Sequence, residues 1–111
     1  MVWGMRFLGN IVVGANASVN NLTTATPFTI PVGCDSVVVL ASGSDCYAEI
    51  KPSTSAMSTT AATGVPIGTS QYQLPAVSTA GAGYANNKNV LAVFNNNGAS
   101  RTVQVWFNDA A

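Results

Sequence analysis

Apolar and polar positions in this chain alternate with a period of two over short runs, and no stretch carries the i, i+3, i+4, i+7 apolar stripe of an amphipathic helix. The runs are separated by clusters of Gly, Asn, Pro and Ser, the punctuation of β structure. The first predicted strand covers residues 2–8, with Trp3, Met5 and Phe7 on one face and Gly4 and Arg6 on the other. A short run at 11–13 follows, then an Asn/Ser/Thr-rich connection over 16–26. Residues 27–31 form a short strand bounded by prolines, which places it at an edge or a strand end, and Val32, Gly33, Cys34 and Asp35 make the turn after it.

Residues 37–42 and 46–51 read as a hairpin closed around 43–45. In its second arm Cys46, Ala48 and Ile50 point inward, alternating with Tyr47, Glu49 and Lys51. The hairpin register sets Ser42, Leu40 and Val38 opposite the inward residues. The other parity of the first arm, Val37, Val39 and Ala41, is then a second apolar face, and such a strand is either covered twice or meets another subunit. Residues 52–64 and 78–89 are long small-residue loops, a length usually reserved for function or mobility. Between them 71–74 alternates, with Tyr72 and Leu74 inward. A final hairpin pairs 90–94 with 101–107 through an Asn-rich link whose Asn97-Gly98 pair tolerates positive φ. Val103, Val105 and Phe107 face the core there, leaving Gln104 and Trp106 outside.

The expectation is therefore an all-β protein: a single β-sandwich of about seven or eight antiparallel strands, Greek-key or jelly-roll-like, occupying residues 1–111 as one domain. The two cysteines do not alter this picture. In the hairpin register Cys34 and Cys46 lie roughly 26 Å apart at ~3.3 Å per residue, beyond the ~7 Å a disulfide spans. Two buried or half-buried thiols are expected instead, and with them a cytoplasmic folding environment.

Charge changes the picture more. Only eight of the 111 residues are charged, Arg6, Asp35, Asp45, Glu49, Lys51, Lys88, Arg101 and Asp109, and none is histidine. The net charge is zero, while 11 asparagines and 11 threonines supply neutral polarity. Four scattered basic residues cannot neutralise a run of phosphates, so nucleic acid is not an expected partner. No apolar run approaches the ~20 residues of a membrane-spanning helix. Residues 1–13 lack the basic leader and the apolar block of a secretion signal. A surface of Asn, Thr, Ser, Gly and Ala is cheap to desolvate compared with a charged one, which suits a protein that other proteins cover.

Candidate chemistry is sparse. A Ser or Cys nucleophile needs a general base, usually histidine. The four carboxylates occupy turns, a wet strand face and the tail, which does not suit the fixed pair of a glycosidase. Cys/His or multi-carboxylate metal sets are missing from the sequence, and Gly81-Ala82-Gly83 lacks the Lys-Ser/Thr ending of a phosphate loop. Neither an enzyme, a cofactor nor a metal is expected. Trp106 and Tyr47, on outward parities, stand out as candidate contact residues. With Val37, Val39 and Ala41 they make up the candidate interface. Trp106, Tyr47 and Tyr84 also offer stacking platforms for a sugar.

From about Phe28 to Phe107 the chain resembles the small β-sandwich cement or decoration proteins of tailed-bacteriophage capsids. The residues that carry this are the segment FTIPVGCDSVVVLASGSDCYAEI, the Ser/Thr/Ala-rich loop after it, the turn Pro66-Ile67-Gly68 and the strand Val103-Gln104-Val105. Residues 1–21 lie outside the resemblance. It implies a virion structural protein made in the host cytoplasm and added to the capsid surface. Such a protein is a homo-oligomer, most often a trimer, that binds the major capsid protein lattice and stabilises the shell. The alternative is a carbohydrate- or receptor-binding module, or a tail or fibre component of the particle.

Overall fold

The computed structural model describes residues 5–30, 36–52, 59–75 and 89–108. Trp3, the turn 32–35 with Cys34 and Asp35, most of both long loops with Tyr84 and Lys88, and Asp109 lie outside the described residues. The described chain forms eight strands and no helix. They are β1 (Met5–Val13), β2 (Ser18–Asn20), β3 (Ser36–Ala41), β4 (Cys46–Pro52), β5 (Val65–Ile67), β6 (Tyr72–Pro75), β7 (Asn89–Asn95) and β8 (Arg101–Asn108). Two four-stranded sheets result, the first ordered β1-β8-β3-β6 and the second β2-β7-β4-β5, with every neighbouring pair antiparallel.

That order follows from one operation. A chain doubled back on itself as a single long hairpin pairs its first strand with its last, its second with its seventh, and so inward. The β1–β8, β2–β7, β3–β6 and β4–β5 ladders are those nested pairs. Rolling the ladder into two layers adds β3–β8 and β4–β7 and completes an eight-stranded jelly roll. The expected sandwich and its jelly-roll character are both present.

Neither expected hairpin is. β3 belongs to the first sheet and β4 to the second, so 42–45 crosses between layers instead of turning within one; β7 and β8 are split in the same way by 96–100. The connections from β1 to β2 and, through 68–71, from β5 to β6 are two further crossings. All four lie at one end of the sandwich, because Val13 pairs with Arg101, Ala41 with Val103, and Cys46 with both Asn95 and Ile67. Positive φ occurs at Asn16 (54°) and Asp45 (69°), in two of these crossings, and not at Asn97 or Gly98. Short polar side chains tolerate this backbone at little cost.

With the hairpin goes its register. Val37, Val39 and Ala41 are the inward face of β3, at 0%, 0% and 3% exposure. There they meet Ile11, Val13, Val103 and Val105 of their own sheet and Cys46, Ala48, Leu91 and Val93 of the other. Each fully buried aliphatic side chain contributes roughly 1.5–3 kcal/mol. The inward parity of β4 and β8 is as expected, apart from Ile50 and Phe107, which are only partly buried.

β1 fuses the two predicted runs 2–8 and 11–13 within the described part. A bulge between Phe7 and Gly9 inserts Leu8 as an extra residue and reverses the parity. Met5 and Phe7 before it, and Asn10 and Val12 after it, therefore share the outward face. Gly9 is required at this point, since a Cβ there would stand 2.5 Å from the Phe28 ring. Residues 27–30 form no strand; only Ile30 makes a bridge, and Pro31 lies outside the described residues. Asn21 takes their backbone groups instead: its carboxamide donates to Phe28 O at 2.9 Å, its carbonyl accepts Phe28 N–H at 3.0 Å, and its Oδ1 accepts Leu91 N–H at 2.9 Å. Thr24 Oγ1 accepts the edge-facing N–H of Val12 at 3.0 Å, so the segment 21–30 caps the free edge of β1.

Two of these crossings, β1–β2 and β7–β8, are stitched by Asn95, which is fully buried. Its carboxamide N–H groups reach Ala99 O (2.7 Å), Gly14 O (3.2 Å) and Val13 O (3.4 Å), while its Oδ1 accepts Asn97 N–H at 3.1 Å. Asn95→Ala strands several buried backbone groups at once, and we expect it to cost about 3 kcal/mol in urea unfolding. The exposed Asn10→Ala is expected to stay within about 0.5 kcal/mol.

Candidate interaction surface

The two outward faces of the sandwich differ. On the second sheet Tyr47, Glu49 and Lys51 of β4 align with Phe94, Ala92 and Val90 of β7. Tyr47 stacks on Phe94 at 6.4 Å and 30°, and Lys51 pairs with Glu49 at 3.0 Å. Ala92 and Val90 are nonetheless fully buried. Part of the reason is the chain's own return path: Thr59, buried, donates its N–H to Ser18 Oγ at 3.1 Å, and Gly64 lies against Tyr47 Cβ. The segment 59–64 thus spans this face from β2 to β4. Tyr47 is half-buried beneath it rather than a free platform.

The first sheet has no such cover among the described residues. Its outward positions fall in rows set by the register: Phe7, Trp106, Val38 and Gln73; then Asn10, Gln104 and Leu40; then Val12 and Thr102. Trp106 meets Phe7 edge-on, with ring centroids 5.1 Å apart at 67°. Phe7 and Val12 are 49% and 48% exposed, high for residues of their type. None of these positions carries a charge. The described charges sit elsewhere: Asp45 and Arg101 at the crossing end, Glu49 and Lys51 on the second sheet, and Arg6 on the opposite parity of β1.

A groove of about 430 Å³ flanks this face, between β1 from Phe7 to Val12 and the capping residues Ala25, Thr26, Pro27 and Phe28. Its walls contain no titratable side chain. What the arrangement offers chemically is shape, apolar contact and the neutral amides of Asn10 and Gln104.

Of the five candidate interface residues, only Trp106 lies on the open face. Val37, Val39 and Ala41 are withdrawn into the core; of their opposite-parity neighbours, Leu40 is partly exposed on the outward face, while Val38 is itself buried at 7% exposure in the row between Trp106 and Gln73. Phe7 and Val12 were not singled out from sequence; the signal that would have found them is the Leu8-Gly9 break in the β1 alternation. Tyr84 lies outside the described residues. Asn21, which begins an Asn-Leu-Thr tripeptide of the N-glycosylation type, is buried with its amide engaged and cannot carry a glycan in this fold.

Cys46 is a free, buried thiol in the core. Burial pushes its pKa up from the ordinary 9.0; the Arg101 charge opposes this and the Asp45 charge adds to it. Nucleophilic thiols have the reverse environment. No cluster of three or more His, Cys, Asp or Glu side chains occurs among the described residues. Comparison with protein-family models, curated proteins and solved structures gives no match.

Two outcomes are expected for Cys46. In a Cys34→Ser background the folded protein resists a thiol reagent and reacts once unfolded in urea. The raised pKa also makes stability fall with rising pH. Below 9.0 both states keep the proton; above it the unfolded thiol ionises while the buried one does not, so unfolding gains. The urea midpoint should drop further between about pH 7 and about pH 10 in the native sequence than in Cys46→Ala.

Proposed function

We propose that this chain is a non-enzymatic structural protein of a virion, a capsid cement or decoration protein. It associates with copies of itself as a trimer and attaches to the major capsid protein lattice through the outward face of the first sheet. The observation that carries this reading is that face: four strands wide, apolar at Phe7, Trp106, Leu40 and Val12, and without a charge among the described residues. Covering it buries no unpaired ion, so the desolvation cost that charged surfaces impose is avoided.

Size supports repeated rather than single contacts. Four strands at ~4.8 Å and about six residues at ~3.3 Å give a footprint of roughly 400 Å². A standard stable interface takes about 800 Å² per partner. The face and its groove thus make one modest contact, and several such contacts per oligomer would sum by avidity on a lattice. The capsid assignment itself draws on the resemblance of residues 28–107 to cement proteins, together with a jelly-roll architecture of the kind viral capsid domains use. That second support is analogy at the level of fold.

One observation favours a second reading. Trp106 stands in the row beside the Asn10 and Gln104 amides, a combination that also suits a sugar, and jelly rolls also serve as lectins. Saturable glycan binding lost in Trp106→Ala would support a carbohydrate- or receptor-binding module of a tail or fibre instead.

Sedimentation and pull-down with cognate shells stripped of the protein test the main proposal. Val12→Lys and Leu40→Lys each place a charge on the face and are expected to weaken association about tenfold or more, since burying an unpaired ammonium costs well over 1.4 kcal/mol. Stability should change by less than about 1 kcal/mol at these outward positions. Thr60→Lys, exposed on the opposite side, should leave association unchanged. A native chain that is monomeric at micromolar concentration and ignores its shell would sink the proposal.

A further inference from the structure

We propose that Asn97 is a self-modification site, at which the Asn97 carboxamide deamidates through Gly98 and loosens the end of the sandwich where the inter-sheet crossings meet. Among the 11 asparagines only Asn97 precedes a glycine. Its Oδ1 accepts the N–H of Ala99 at 2.9 Å, which curls the carboxamide forward over the Gly98 peptide, the side from which the Gly98 nitrogen attacks. Gly98 is exposed, and no atom lies within 4 Å of where its Cβ would stand. The turn is therefore open beside Gly98, and water has access.

The chemistry needs no external reagent but water. The Gly98 nitrogen bonds to Asn97 Cγ, the Cγ–Nδ2 bond breaks, and Nδ2 departs as ammonia with the proton the peptide nitrogen gives up. Water then opens the five-membered imide at either carbonyl, leaving aspartate or its backbone-shifted isomer. The other corner asparagine, Asn95, is shielded from this route. It is fully buried, its amide is shared among three carbonyls, and its next residue is Asn96.

The consequence follows from what Asn97 holds. Its Nδ2 donates to Asp45 Oδ2 at 2.8 Å, in the crossing from β3 to β4. Its carbonyl accepts the N–H of Asn16 at 3.1 Å, in the crossing from β1 to β2. A carboxylate at 97 replaces the donor to Asp45 with a like charge at hydrogen-bond distance, and the isomer also lengthens the backbone through the turn.

The test is incubation of the full-length protein at mildly alkaline pH, followed by peptide mapping with mass spectrometry. Conversion is expected at Asn97 ahead of every other asparagine. Gly98→Ala, which the open space around the glycine accommodates, should slow it several-fold while leaving the urea midpoint unchanged. Asn97→Asp should lower that midpoint. Preferential conversion elsewhere, an unchanged rate in Gly98→Ala, or an Asn97→Asp protein as stable as the native one would each overturn the proposal.

Discussion

The buried Asn95 carboxamide holds together the part of this fold that a jelly roll finds hardest to make. Nesting eight strands puts every consecutive pair except β4 and β5 into opposite layers, so the chain must pass over the end of the core at each crossing. Every such passage takes backbone N–H and C=O groups away from their ladders, and buried backbone groups need partners. Asn95 supplies them to Val13, Gly14 and Ala99 at once and is itself anchored by Asn97 N–H. Around it, Arg101 Nε donates to Ser44 O and Asn96 N–H to Asp45 O. A charged side chain could bridge the same gap only with a counter-ion buried beside it. A neutral amide needs none.

The abundance of asparagine is thus partly structural. Asn95 and Asn97 bind the crossing end, and Asn20 and Asn21 bind the segment that caps β1: Asn20 Oδ1 accepts Leu22 and Thr23 N–H, and Asn21 ties Phe28 to β7. Neutrality inside these corners and neutrality on the outward face of the first sheet are separate features of one composition. Only the second speaks to function.

How legible this was from sequence depended on which physical cue each residue gave. Strand parity was readable wherever alternation was strict: Cys46 and Ala48 inward against Tyr47 and Glu49, Val103 and Val105 inward against Gln104 and Trp106. The all-β sandwich followed from the same alternation and the turn spacing. Layer assignment was not readable. Ser42-Gly43-Ser44-Asp45 and the run 95–100 carry the same small, turn-forming residues whether the chain turns within a sheet or crosses between two. β3 is apolar on both parities, so alternation alone could not orient it; the register borrowed from a hairpin that does not form pointed Val37, Val39 and Ala41 the wrong way. The position of Phe7 was hidden for a related reason, since a single inserted residue at Leu8 inverts the face without changing composition.

The outward face gains meaning from how the edges are treated. An exposed β edge invites pairing by backbone, which is indifferent to sequence and tends to propagate. Here β1 is capped by Thr24 and the 21–30 segment, and β6 is four residues long and ends in Pro75. β2 and β5, the edges of the second sheet, have three residues each. Edge-to-edge growth is therefore discouraged, while among the described residues the outward face of the first sheet is left uncharged and uncovered. Association directed through side chains on a face can be specific and can close, because the rows of Phe7, Trp106, Leu40 and Val12 have a shape that backbone edges lack. A chain meant only to remain soluble would protect its edges and charge its faces. Among the described residues this one protects its edges and leaves one face neutral, and that asymmetry is what supports the proposed assembly role.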